Sequence, residues 1–200
     1  MKRIKNKMKL LLAIIIIFSF QSWTKADDIR EFQIEGISIG DSLLDFMTKE
    51  EILSSKRNYE KDRKYYVVGY DENLKNYTQV DVYLKSGDSK YIVRTLSGAL
   101  FMNVDACLTK KKKIVNELRE LFSNASEKTY HDVEHSYDKT GNSLQHQTGF
   151  LLKNDNNDDH IRVECMDWSD QITKKNQWTD SLSVGAYNKE ILQWFISGYN

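Results

Sequence analysis

The sequence predicts a single α+β domain in which an antiparallel sheet carries helices packed on one face, arranged as two helix-plus-strands halves. Three observations predict it. Residues 103–122 form the longest amphipathic helix pattern in the chain. Val104, Leu108, Val115, Leu118 and Phe122 recur at three- and four-residue steps, and Cys107, Ile114 and Leu121 widen the stripe. Segments with two-residue alternation lie on both sides of that helix. Helices do not alternate one for one with strands, which disfavours a doubly wound parallel sheet.

The elements follow in order. Residues 32–34 read as a short strand, and Ile37 and Ile39 alternate with smaller residues. Asp41 is placed to cap a helical turn whose Leu43, Leu44 and Met47 are apolar. Thr48 and Glu51 have capping-box spacing, so a second turn starts at Thr48. Residues 56–64 are charged and irregular and read as a solvated loop. Residues 65–70 are rich in β-branched and aromatic types and read as a strand. Val80, Val82 and Leu84 alternate cleanly, a turn follows at 86–89, and residues 91–102 resume strand character, making a hairpin. After the long helix, residues 130–137 alternate and 138–141 read as a turn. Strands at 143–153 and 160–168 flank a polar connection. Leu182, Val184 and Ala186 mark a last strand, and Asn188 caps a helix carrying Ile191, Leu192, Phe195 and Ile196. No Gly- or Ser-rich linker divides the chain, so one domain is expected over residues 27–200, its halves meeting just before Asn103.

Residues 1–26 read as a cleaved signal peptide. Lys2, Arg3, Lys5, Lys7 and Lys9 form a positive start, residues 10–20 (LLLAIIIIFSF) an apolar run, and Thr24-Lys25-Ala26 a small-residue cleavage site after Ala26. That run is short of the about 20 residues a membrane-spanning helix needs. A periplasmic or secreted protein with no membrane span after processing is expected. The whole chain has 29 basic and 29 acidic residues. Removing the leader's six basic and no acidic residues leaves 23 against 29, a formal net charge of −6. A negative surplus argues against nucleic acid as a partner. In an oxidising compartment, two cysteines favour a Cys107–Cys165 bridge; the alternative is two separate buried thiols.

Chemistry-bearing motifs are sparse. Gly40-Asp-Ser-Leu43 resembles the nucleophile block of the GDSL esterases. That resemblance makes Ser42 a nucleophile, His135 its base and Asp132 the residue that orients His135, through Asp132-Val-Glu-His135. Against it, 65 residues follow His135, whereas the family's block lies near the C-terminus. No Gly-x-Asn-Asp block supplies oxyanion donors, and the segments after Leu43 read as antiparallel hairpins. Gly-Asp-Ser before an apolar run is also what an ordinary helix start looks like. His131 and His135 lie on a strand pattern, about 13 Å apart at that spacing, too far for one ion. His146 and His160 stand alone, so no metal or other cofactor is expected. The 154–159 stretch fails as a calcium loop, with His160 where glycine is needed and Met166 where glutamate is needed. Lys110 to Lys113 reads as a solvated face with Lys111 snorkelling beside the apolar stripe. Tyr65, Tyr66, Tyr70, Tyr83 and Tyr91 on strands read as half-buried packing residues. Trp168 and Trp178 flank the polar loop 169–177, where exposed aromatics have most to do.

The leader, the segment 32–46 (FQIEGISIGDSLLDF), Cys107 and the VECMDW strand ending at Trp168 resemble a group of uncharacterised exported proteins of marine alphaproteobacteria. That resemblance implies export and no particular activity. In architecture alone, tandem helix-plus-sheet units are similar to small envelope proteins such as β-lactamase-inhibitor-like and outer-membrane assembly modules. The expected function is a non-enzymatic binding or accessory role with an unknown protein or glycan partner in the envelope. A Ser42 esterase and a carbohydrate-binding module using Trp168, Trp178 and the strand tyrosines are the alternatives.

Overall fold

Alternating apolar residues build one face of a long sheet. The computed structural model describes residues 28–58, 63–71, 74–153 and 158–197. The expected leader, residues 1–26, and residues 154–157 of the polar connection lie outside them, as do residues 59–62. Strands β1 (Gln33–Ile34) and β2 (Ile37–Ser38) form a small hairpin of their own. Eight strands form the main sheet: β3 (Lys56–Asn58), β4 (Tyr65–Tyr70), β5 (Gln79–Lys85), β6 (Val93–Phe101), β7 (Ser126–Glu134), β8 (Leu144–Lys153), β9 (Asp158–Asp167) and β10 (Ser181–Tyr187). Their spatial order is β3-β4-β5-β6-β10-β9-β8-β7, antiparallel throughout. The helices are α1 (Lys49–Ser54), α2 (Val104–Leu121), α3 (Asp170–Asn176) and α4 (Lys189–Ile196).

The architecture is α+β, and its two halves share one plan. A helix precedes a four-stranded meander in each: α1 then β3 to β6, α2 then β7 to β10. The last strands of the two meanders, β6 and β10, pair at the centre, with Gly98 opposite Val184. Asn103 marks the division, accepting a hydrogen bond from the Ala106 N–H at 2.9 Å to start α2.

The core lies between the sheet and the segments laid over it. Val80, Val82 and Leu84 of β5, Ile161, Val163 and Cys165 of β9, and Leu182, Val184 and Ala186 of β10 all point into it. From α2 it receives Cys107, Val115, Leu118 and Phe122, and from α1 Ile52. The Thr48–Glu51 capping box forms as expected. At the preceding turn the cap is Ser42, not Asp41: the Ser42 hydroxyl accepts from Leu44 N–H, while the Asp41 carboxylate accepts from Ser38 N–H at 2.8 Å. Gly98 in β6 is obligatory for packing, because a Cβ there would lie 2.5 Å from the Tyr77 ring. Glu35 anchors the β4–β5 connection by accepting three backbone N–H bonds, from Lys75, Asn76 and Tyr77.

Helices α1 and α2 cover the core face, and α4 adds a smaller layer on the other. Tyr65 and Tyr83 alternate with the inward Tyr66, Val82 and Leu84, so they face away from the main core. They meet Trp194 and Phe195 edge-on at 5.0 and 5.2 Å. That contact gives two of the strand tyrosines a partner inside the molecule.

The Cys107–Cys165 disulfide is formed, with Cα atoms 5.9 Å apart. It joins the first turn of α2 to β9. Two elements differ from the sequence reading. Lys56–Asn58, read as loop, pairs with β4 as an exposed edge strand. Asp170–Asn176, read as polar loop, is the helix α3, which buries only Ile172 and so shows no apolar periodicity. Among the described residues, no helix is long and apolar enough to cross a membrane.

Candidate functional site

Four aromatic side chains converge where β7, β9 and α3 end. The rings of Trp168 and Trp178 lie 4.7 Å apart, tilted by 55°. Tyr137 meets Trp178 at 4.7 Å, and His135 meets Trp168 edge-on at 4.7 Å. Tyr137 remains 47% exposed and Trp178 37% exposed. Large aromatics that stay open to solvent while stacked on each other are the composition that binding hot spots favour.

Each ring is positioned by an identifiable local device. Trp168 follows β9, and its backbone N–H donates to the Asp180 carboxylate at 2.8 Å. Ser169 caps α3 by accepting from Ile172 N–H. Helix α3 stops at Gln177, which adopts a left-handed φ of 59° and turns the chain so that Trp178 returns over Trp168. The Asn176 amide donates to the Tyr137 hydroxyl at 3.1 Å.

Asp138 locks these pieces together. It is buried, and its carboxylate accepts four hydrogen bonds: from Thr140 N–H (3.0 Å), Thr140 hydroxyl (2.6 Å), Ser143 hydroxyl (2.7 Å) and Ser169 hydroxyl (2.8 Å). The Thr140 and Ser143 hydroxyl bonds, with the others, hold its carboxyl far below the ordinary aspartate range. One charge thus ties the β7–β8 turn, which carries Tyr137, to the residue after Trp168.

A pH consequence follows. The folded pKa of Asp138 is depressed below its unfolded value of about 3.9, so its contribution is complete above that value. It is lost as pH falls toward the folded pKa. Asp138→Asn, whose amide hydrogens oppose the Ser and Thr donors, is expected to be less stable than wild type at pH 7. The gap should narrow below about pH 4. Thermal midpoints of both proteins from pH 7 to pH 2 check this; parallel curves would refute the assignment.

The residues of the esterase reading are not brought together. Ser42 donates to the Lys90 carbonyl at 2.8 Å and bridges Ile92, just before β6. His135 follows β7 at the far edge of the sheet. Four strand spacings, roughly 19 Å, separate β6 from β7. Asp132 sits at a bulge with φ 51° and faces His146, 3.6 Å away, instead of His135. His135 packs against Trp168, accepts the Tyr137 N–H at 3.2 Å, and has its pKa lowered by burial. Ser42 is a helix cap here, which is the ordinary role of a serine ahead of an apolar turn.

Other singled-out residues find structural places. Tyr65 and Tyr66 are buried, and Tyr70, Tyr83 and Tyr91 are half-buried against their clusters, so these five do not form an exposed ladder. His160 lies across Gly149 and is partly buried. Among the described residues, no group of three or more His, Cys, Asp or Glu side chains is placed to hold a metal. Tyr137 and Asp138 carried no signal in the sequence beyond a strand end and a turn. Their importance depends on Ser169 and Trp178, about 30 to 40 residues away in the chain.

No family model, curated protein or solved structure matches this chain.

Proposed function

We propose that this is an exported, non-enzymatic binding module that engages a protein partner of the cell envelope through Tyr137, Trp168 and Trp178. The observation that carries the proposal is the Asp138 lock beneath a half-exposed aromatic group. Aromatic side chains held rigid before binding lose little entropy on contact, which is what makes them effective anchors. Export rests on the charged and apolar leader pattern, and it supplies the oxidising compartment that the disulfide requires.

A protein partner is favoured over a glycan by ring geometry. Trp168 and Trp178 are tilted and packed on each other instead of presenting two parallel open faces for stacking on sugar rings. Loss of the tyrosine ladder removes the rest of the carbohydrate platform. Glycan binding remains an outcome of the test.

The test is recovery of a partner from envelope extract by wild type and by the Tyr137→Ala/Trp178→Ala variant. Wild type should retain a discrete protein, and the variant should bind it at least about thirtyfold more weakly, the loss of a hot spot worth about 2 kcal/mol or more. Circular dichroism should show both folded alike, because the two side chains are substantially exposed. Equal recovery by both proteins sinks the proposal. Retention of polysaccharide in place of protein, lost in the variant, transfers the site to the carbohydrate reading.

A further inference from the structure

The two tryptophans of the aromatic patch carry no cation. Elsewhere the chain places its own cations on aromatic rings: Lys56 lies over Tyr66 at 4.2 Å, Lys64 over Tyr65 at 5.2 Å and Arg162 over Tyr187 at 5.1 Å. Tryptophan holds a cation better than tyrosine does. Yet among the described residues no lysine or arginine lies over Trp168, Trp178 or Tyr137. Trp178 and Tyr137 are open to solvent, and Trp168 is half-buried beside them.

The charges that hold the patch together are anionic. The Asp138 carboxylate is shared among neutral donors, Thr140, Ser143 and Ser169, and among the described residues it forms no ion pair. Asp180, which accepts the Trp168 backbone N–H, also has no ion-pair partner among the described residues. Burial lowers the pKa of His135, the fourth ring, and the charges acting on it, Glu164 and Asp138, are both negative. The basic residues nearby are engaged or stand off the rings. Arg162 is held by Glu164 at 3.2 Å and by the Tyr187 ring. Lys139 donates to the Ser136 carbonyl at 2.7 Å, and Lys174 and Lys175 are exposed on α3.

We propose that the group seated on this patch is an arginine side chain of the protein partner, its guanidinium packed against Trp178 and Trp168. The inference rests on the partner-binding reading above and names the chemistry the partner brings. Charge complementarity selects it: π faces and two carboxylates without ion-pair partners attract positive charge. A planar guanidinium stacks on an aromatic face and is more weakly hydrated than an ammonium, so arginine loses less than lysine on leaving water. An apolar side chain would touch the rings but leave the negative field unanswered.

The test is NMR titration of the folded chain with the peptide acetyl-Gly-Arg-Gly-amide and, separately, with the same peptide carrying citrulline in place of arginine, at constant ionic strength. Citrulline keeps the planar shape and drops the charge. The reporters are the indole N–H signals of Trp168 and Trp178; that of Trp194, packed on Tyr65, is the internal control. A saturable shift of both patch signals is expected with arginine, at least about threefold tighter than with citrulline, with no movement of the control. Trp178→Leu, which keeps an apolar contact and removes the indole, should abolish the preference for arginine, read at Trp168. Should that variant not fold, raising the ionic strength about tenfold with the wild-type chain should weaken arginine binding and leave citrulline binding unchanged. Equal responses to the two peptides, or no saturable response to arginine, overturn the arginine assignment. If the envelope partner is still lost by Tyr137→Ala/Trp178→Ala in that case, the patch stands as an apolar anchor and only this inference falls. Equal recovery of the partner by wild type and double variant removes the parent reading and this inference with it.

Discussion

Removing the Cys107–Cys165 bridge lowers unfolding stability by about 4 kcal/mol and the thermal midpoint by about 8–16 °C. The bridge closes a 58-residue separation that includes β7, β8 and most of β9. In the unfolded chain it forbids the many conformations in which α2 and β9 drift apart. In the folded chain their pairing is already fixed by packing, because α2 lies over β9 and β10. The difference is therefore mainly a property of the unfolded state. The Cys107→Ala/Cys165→Ala variant should show a lower urea midpoint and a larger denaturant slope, since its unfolded ensemble exposes more surface. A variant with unchanged slope and midpoint would falsify this account.

Phe122→Ala is expected to cost about 3–5 kcal/mol, whereas Leu121→Ala costs about 0.5 kcal/mol or less. Phe122 is 1% exposed and belongs to the core at the C-terminal end of α2; Leu121, one residue away, is 37% exposed. Truncating Phe122 leaves a void that neighbours on two layers cannot collapse to fill, because the sheet behind it is rigid. Truncating Leu121 removes atoms already in contact with water. The pair discriminates the observed helix orientation from the broader stripe that periodicity alone suggests. Equal destabilisation of the two variants in chemical denaturation would mean that α2 is rotated from the orientation described.

The helix shows where sequence reading succeeds and where it stops. Its existence and its place between two sets of strands were legible, because a 3.6-residue period over 18 residues is a strong local signal. Its exact buried face was not. Leu108 and Leu121 share the apolar pattern but lie at the rim, and Lys111 takes the buried position between Cys107 and Val115. A charge in a core stripe contradicts the pattern, and only the Glu127 and Glu164 charges that the fold brings near it offset its burial. Helix α3 was missed for a related reason, since with one buried residue it has no periodicity to read.

The candidate site was legible in part. Trp168 and Trp178 stood out because tryptophans beside a polar loop have no obvious core to enter. Tyr137 and Asp138 did not, because a strand end and a turn are ordinary. The GDSL pattern shows the opposite failure, in which motif spacing suggested a constellation that the sheet holds apart on different strands and edges.

The sequence by itself determined the α+β class, the two helix-plus-strands halves and the Thr48 and Asn188 caps, all of which rest on interactions between residues a few positions apart. Only the tertiary structure decided which faces those elements bury, that α4 covers the back of the sheet, that Asp138 reaches Ser169, and that Glu127 and Glu164 come near Lys111. The physical reason is range. Caps and periodicity act within one or two turns of chain, whereas a site is made by side chains whose meeting depends on the register of strands far apart in sequence.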